Sequence, residues 1–196
     1  NPISADLAVM RSTLWSGLLR AVAYNLNRQQ NRVRLFEMGP AFYQDDAGKT
    51  QQKTHLAGVI TGNLYPEQWA QLNRPVDFYD LKGDVEALLE QATGTQFHVA
   101  PVAHPALHPG QSAQLMTDQA VVGWLGMVHP RIEEQLGLSQ PVYVFELDAA
   151  ALQQRQLPKY QPVSKFPAIR RDLALLVNRD VLSIVLENAV KKAATP

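Results

Sequence analysis

The sequence predicts an α+β domain in which an antiparallel sheet of about six strands carries two amphipathic helices. Between residues 33 and 147, short runs rich in alternating apolar residues dominate, separated by turn residues. Two segments, near 14–27 and 78–92, instead repeat apolar residues every three or four positions. Past Gln153 the texture changes to a polar stretch punctuated by Pro158, Pro162 and Pro167, which reads as a linker.

The elements follow in order. Ser12 and Thr13 offer N-caps for a helix from Leu14 to Asn27, whose stripe is Trp15, Leu18, Leu19, Val22 and Leu26. A polar loop, Gln29 to Arg32, leads into a strand from Val33 to Tyr43. Its buried mass is expected from Val33, Leu35, Phe36, Met38 and Phe42. Asp45 to Lys49 is a turn, and His55 to Thr61 a second strand closed by Gly62 and Asn63. Asp77 caps a second helix with the stripe Phe78, Leu81, Val85, Leu88, Leu89 and Ala92, and Gly94 stops it. Strands are expected at Phe97–Val102, Ala113–Met116 and Val121–Val128. Pro130 opens a short helix through Gln135, which Gly137 ends. In the strand Val142–Leu147, Val142, Val144 and Glu146 share one face, and Tyr143, Phe145 and Leu147 the other.

This gives a first domain over 1–152 and a linker over 153–168. A strand at Asp172–Val177 and a helix at Val181–Ala194 then open a second domain over 169–196. A lone strand–helix pair cannot bury both its faces. The second domain is therefore expected to be incomplete, with both ends of the sequence read as cuts in a longer chain.

Composition narrows the function classes. Of 196 residues, 46% are hydrophobic and 18% charged, enough apolar material for a core. Eighteen Lys plus Arg balance eighteen Asp plus Glu, 18 − 18 = 0, so the chain exerts no global pull on nucleic acid. The absence of cysteine excludes disulfides, thiolate zinc sites and Cys nucleophiles, and suits a cytoplasmic protein. No apolar run approaches the roughly 20 residues that span a bilayer, and the start lacks a signal-peptide pattern.

Candidate chemistry is sparse. His104 and His108 are four apart, but Pro105 and Pro109 prevent a helix that would align them. With His129 they could meet a metal in loops, which defines one alternative: a free-standing metal-dependent enzyme. Their plainer reading is as loop histidines before prolines, with His108-Pro109-Gly110 a tight structural turn. Asp77, Asp80, Asp84 and Glu86 crowd a helix start, where the dipole favours carboxylates, and they read as caps rather than a magnesium site. There is no phosphate-binding glycine loop and no Gly-x-Ser-x-Gly nucleophile elbow. From the residues alone, no catalytic, cofactor or metal site emerges.

Three segments nevertheless resemble the beta chain of bacterial phenylalanyl-tRNA synthetase. The first runs from Asn1-Pro2-Ile3-Ser4 through Met10-Arg11-Ser12-Thr13-Leu14 to Asn25-x-Asn27-Arg28 and Leu35-Phe36-Glu37-Met38-Gly39. The second is Asp77-Phe78-Tyr79-Asp80-Leu81-Lys82-Gly83. The third joins His108-Pro109-Gly110-Gln111-Ser112-Ala113, Gly123-Trp124-Leu125-Gly126-x-Val128-His129-Pro130 and Tyr143-Val144-Phe145-Glu146-Leu147. Ser164 to Ala174 is similar to the entry of that chain's ferredoxin-like anticodon-binding domain. Pro40 and Gln111 depart from the pattern, standing where many relatives carry a basic residue and Arg.

The resemblance implies a class II synthetase-like antiparallel sheet that has lost its chemistry, followed by a truncated ferredoxin-like βα segment. It implies an (αβ)₂ parent enzyme that attaches phenylalanine to its tRNA using ATP and magnesium, with catalysis in the alpha chain. The implied partners are that alpha chain and, through the full-length beta chain, tRNA(Phe), with Arg170 and Arg171 contacting its phosphates. Arg34-Leu35-Phe36-Glu37 has the wrong spacing for the arginine-x-glutamate that holds an ATP phosphate in class II sites. No later glycine-arginine signature follows.

Overall fold

The computed structural model describes residues 8–93, 97–117, 120–153, 160, 165, 167 and 169–194. The readings placed on Asn1-Pro2-Ile3-Ser4, on Gly94 and on most of the linker, including Pro158 and Pro162, lie outside the described residues. The chain divides into two units, Asn1–Pro158 and Lys159–Pro196.

In the first unit, six strands form one sheet: β1 (Val33–Gln44), β2 (Thr50–Thr61), β3 (His98–Pro101), β4 (Leu107–Met116), β5 (Val121–Val128) and β6 (Val142–Asp148). Their order is β1-β2-β6-β5-β4-β3, and all neighbours are antiparallel. Helix α1 (Trp15–Leu26) lays Trp15, Leu18, Leu19 and Val22 on one face, against Ala57, Val59, Val142 and Val144. Helix α2 (Phe78–Thr93) lays Leu81, Val85 and Leu89 on the other, against Ile60, Leu115, Leu125, Tyr143 and Leu147. Strand β6 is thus buried on both faces, with Val142, Val144 and Glu146 toward α1 and Tyr143 and Leu147 toward α2. Each fully buried leucine here, such as Leu81 or Leu125, stabilises by roughly 1.5–3 kcal/mol.

Local chemistry sets the ends of these elements. Thr13 serves α1 from one residue outside the cap, its Oγ1 accepting the N–H of Trp15 at 3.1 Å, while Leu14 holds the cap position. In the β1–β2 turn, Asp45 Oδ1 accepts the N–H groups of Ala47 and Lys49, and Gly48 adopts φ 74°. Asp77 Oδ1 accepts the N–H groups of Tyr79 and Asp80, and Asp80 Oδ2 accepts that of Asp77, closing a reciprocal capping box on α2. Helix α3 (Pro130–Leu136) ends in left-handed Gly137. A 3₁₀ turn at Ala149–Gln153 was not predicted.

Three expectations are corrected. Leu35, Phe36 and Met38 are not buried: Phe36 is 79% and Met38 66% exposed, because β1 is the sheet edge and the helices cover the centre. The segment His108-Pro109-Gly110 is no tight turn. It lies inside β4, at a register shift between Leu107 and Ser112, and Gly110 does not adopt positive φ. In the second unit, α4 (Ser183–Ala194) forms, but Asp172–Val177 is not a strand. Among that unit's described residues no strand exists to receive its ladder bonds, and Leu173, Leu175 and Leu176 are exposed. Among the described residues, no helix is long and apolar enough to cross a membrane.

Candidate functional site

The three histidines share one local geometry. His104 Nδ1 accepts the N–H of Ala106 at 3.2 Å, His108 Nδ1 that of Gly110 at 3.0 Å, and His129 Nδ1 that of Arg131 at 3.2 Å. Each is a His-Pro-X segment in which the ring receives the backbone donor two residues on, although His104 precedes a turn, His108 lies in β4 and His129 caps α3. A neutral imidazole that accepts at Nδ1 carries its proton on Nε2, which leaves no lone pair for a metal. The structure also separates their roles. His104 packs between Trp15 and Trp124, with ring centroids at 5.3 and 5.9 Å, and burial holds its pKa below the ordinary histidine value. His129 caps α3. Among the described residues, no three His, Asp or Glu side chains converge as a metal site.

The acidic group at α2 is likewise structural. Arg74 makes two 2.7 Å bonds to Asp80, and this pairing, with the Asp77 N–H bond, holds the Asp80 carboxyl below its ordinary value. Asp84 pairs with Arg34 at 2.8 Å, and Glu86 with Lys82 at 2.6 Å.

What the sequence reading missed is a buried polar cluster on the α1 face. Glu146 is 5% exposed; its Oε2 accepts the Thr13 hydroxyl and its Oε1 the Nδ1–H of His55 at 2.5 Å. Alongside, Trp15 Nε1 donates to the Phe145 carbonyl at 3.0 Å. The cluster ties the entry of α1 to β2 and β6. The register places Glu37, Ala57, Glu146 and Trp124 in one row across the sheet, on the same face. At the end of that row, Arg11 donates to Glu37 at 2.6 Å and to the Pro40 carbonyl at 2.9 Å. The departure at Pro40 therefore costs nothing at this contact, since any residue supplies a backbone carbonyl. A glutamate on the inward phase of Val142-Tyr143-Val144-Phe145-Glu146 was the available signal for the cluster.

Two cations beside β1 are thus engaged by carboxylates, Arg11 ahead of α1 by Glu37 and Arg34 on β1 by Asp84. Arg170 and Arg171 lie exposed in the second unit, with Arg170 3.5 Å from Asp172.

The central strands are thus covered on both faces, Arg11, Arg34 and Arg74 pair with carboxylates, and the three histidine rings each accept a backbone N–H. Residues 1–149 match the family model described as phenylalanyl tRNA synthetase beta chain CLM domain. The chain is 52% identical, over its whole length, to a phenylalanine–tRNA ligase beta subunit from Methylococcus capsulatus. It is 51% identical over 97% of its length to that of Nitrosococcus oceani, and 52% over 96% to that of Pseudomonas fluorescens. It spans about a quarter of these relatives, 25%, 24% and 24% of their lengths. The chain belongs to the phenylalanyl-tRNA synthetase beta chain family.

Proposed function

We propose that this chain is a non-catalytic, structural and subunit-contacting part of a phenylalanine–tRNA ligase beta subunit, whose (αβ)₂ enzyme attaches phenylalanine to its tRNA with ATP in the cytoplasm. The observation that carries this reading is the distribution of apolar surface. Both faces of the central strands are filled by side chains of α1 and α2, whereas the edge strand β1 exposes Phe36 and Met38, near 37% exposed Leu35. An open, apolar strand edge is a docking feature that soluble proteins otherwise suppress.

The residues do not fit an ATP phosphate. Arg34, the cation nearest in sequence to the class II arginine position, is held by Asp84 against α2. A phosphoryl-transfer site depends on cations aimed at the developing charge, and this one is aimed at a carboxylate. The family resemblance assigns nucleotide and magnesium chemistry to the alpha chain of the parent enzyme, and the pairing of Arg34 is consistent with that. The sheet, antiparallel and six-stranded, is compatible with a class II synthetase-like module over 1–152. Residues 153–168 are read as a linker, and 169–196 as the opening of a ferredoxin-like anticodon-binding domain in which Arg170 and Arg171 favour tRNA phosphates. The metal-enzyme alternative has no comparable support: relatives of this chain carry the ligase beta-subunit name, and each of the three histidine Nδ1 atoms accepts a backbone N–H.

The test has two readouts on purified protein free of host synthetase. Phenylalanine-dependent pyrophosphate exchange by this chain alone should stay at background. In the full-length beta subunit, Phe36→Asp with Met38→Asp should reduce recovery of the alpha chain. Exchange above background, or undiminished recovery, refutes the reading.

A further inference from the structure

A second surface stands apart from the β1 edge. The loop between β2 and α2 is closed at its base by backbone bonds from Leu64 N–H to the Arg74 carbonyl and from Val76 N–H to the Gly62 carbonyl, each 2.9 Å. An isolated bridge pairs Asn63 with Pro75. Arg32 clamps the same base, donating to the carbonyls of Asn63 at 3.2 Å and Leu64 at 3.1 Å. Gly62 makes the fit: at φ 85°, a Cβ there would stand 1.9 Å from the Asn31 carbonyl oxygen. From this fixed stem the tip presents Trp69, 104% exposed, Leu72, 97% exposed, and Tyr65.

A rigidly based loop with an apolar, aromatic tip has the form of a preorganised anchor, because little ordering cost remains to be met on docking. The tip's charge limits what it can anchor to. Residues 65–73 carry one carboxylate, Glu67, and no cation, and the nearby Arg74 is committed to Asp80. Nucleic acid is disfavoured, since aromatic stacking platforms for it work beside cations that take up the phosphates. An apolar pocket on protein is the match, with tryptophan the residue that most often dominates such contacts.

The geometry points to one occupant: another part of the same, longer beta polypeptide, docking on Trp69 and Leu72. This rests on the reading that the chain is a piece of a beta subunit, whose relatives are about four times its length. A pocket in the same polypeptide meets the tip at high effective concentration, so a small two-residue anchor suffices, where a separate chain needs a larger interface.

The test is site-specific photo-crosslinking in the full-length alpha–beta enzyme, with Gln71→p-benzoylphenylalanine at the tip. The expected adduct joins residue 71 to a beta-chain peptide outside these 196 residues. Adding Trp69→Ser should lower its yield by about tenfold. Adducts on the alpha chain or tRNA, adducts confined to these 196 residues, no adduct, or a yield unchanged by Trp69→Ser each overturn the inference. Failure here leaves the pyrophosphate-exchange and alpha-recovery results untouched, so the two readings fail separately.

Discussion

Replacing Glu146 with alanine tests whether the buried cluster holds α1 to the sheet. Glu146 is 5% exposed and accepts two hydrogen bonds, one from Thr13 at the entry of α1 and one from His55 on β2. A bond to a charged acceptor contributes about 1.5–3 kcal/mol, and a buried donor left unpaired costs further desolvation. Glu146→Ala abandons two donors at once, which places the loss at roughly 3–5 kcal/mol, the range for breaking one side of a buried pair. Glu146→Gln keeps the shape and an acceptor for Thr13, so it should lose only about 1–2 kcal/mol. Urea unfolding of the two variants and of Thr13→Val gives the values, with an unchanged m-value showing that folded and unfolded ensembles are otherwise alike. In a double-mutant cycle, Thr13 and Glu146 should couple by about 1 kcal/mol or more. A loss below about 1 kcal/mol for Glu146→Ala, or equal losses for Ala and Gln, would refute the reasoning.

Two further outcomes concern His104 on the α1 face of the sheet and Gly123 on the α2 face. His104 is neutral between Trp15 and Trp124, and its folded pKa lies below its ordinary value because burial penalises the cation. The unfolded chain therefore binds the proton more readily, so stability falls as pH drops through about 6.5, and His104→Gln should flatten that slope in pH-dependent melting curves. Gly123 faces the β6 backbone so closely that a Cβ would stand 2.3 Å from the Glu146 carbonyl oxygen and 3.0 Å from Leu147 Cα. Gly123→Ala should then cost about 1–3 kcal/mol in urea unfolding by forcing β5 and β6 apart. A neutral effect would mean that the strands yield without loss.

Much of the fold was legible because periodicity reports burial in the middle of a sheet. The α1 and α2 stripes, the Gly137 stop and the alternation of side chains along β6 all behave as their spacing predicts. Periodicity fails where strand order decides. Leu35-Phe36-Glu37-Met38 reads as core on its apolar content, yet nothing in the local pattern states that β1 will be outermost, with its flank uncovered. The strand Asp172–Val177 failed for the complementary reason: its residues suit a ladder, but a strand exists only with a neighbour. At the site, the turn expected at His108-Pro109-Gly110 is part of β4, and the acceptor role of all three Nδ1 atoms needed coordinates. The Glu146 cluster was half legible. Its phase placed it inward, while its partners Thr13 and His55 lie 133 and 91 residues away, beyond any local signal.

These misses bear on function, since they fall where the sheet meets something other than its own helices. Here the face under α1 is closed by Trp15, Leu18 and Val22, and the polar residues that remain, Glu146 and Glu37, are matched internally by Thr13, His55 and Arg11. The apolar groups left in water lie outward, Phe36 and Met38 on the edge and Trp69 and Leu72 on the loop tip. Apolar residues in those places gain nothing within the described first unit. Their contribution arises only when another surface removes them from water, at about 25 cal/mol for each Å² covered. The proposed packing role rests on that contrast between covered central strands and exposed apolar residues at the edge and the loop tip.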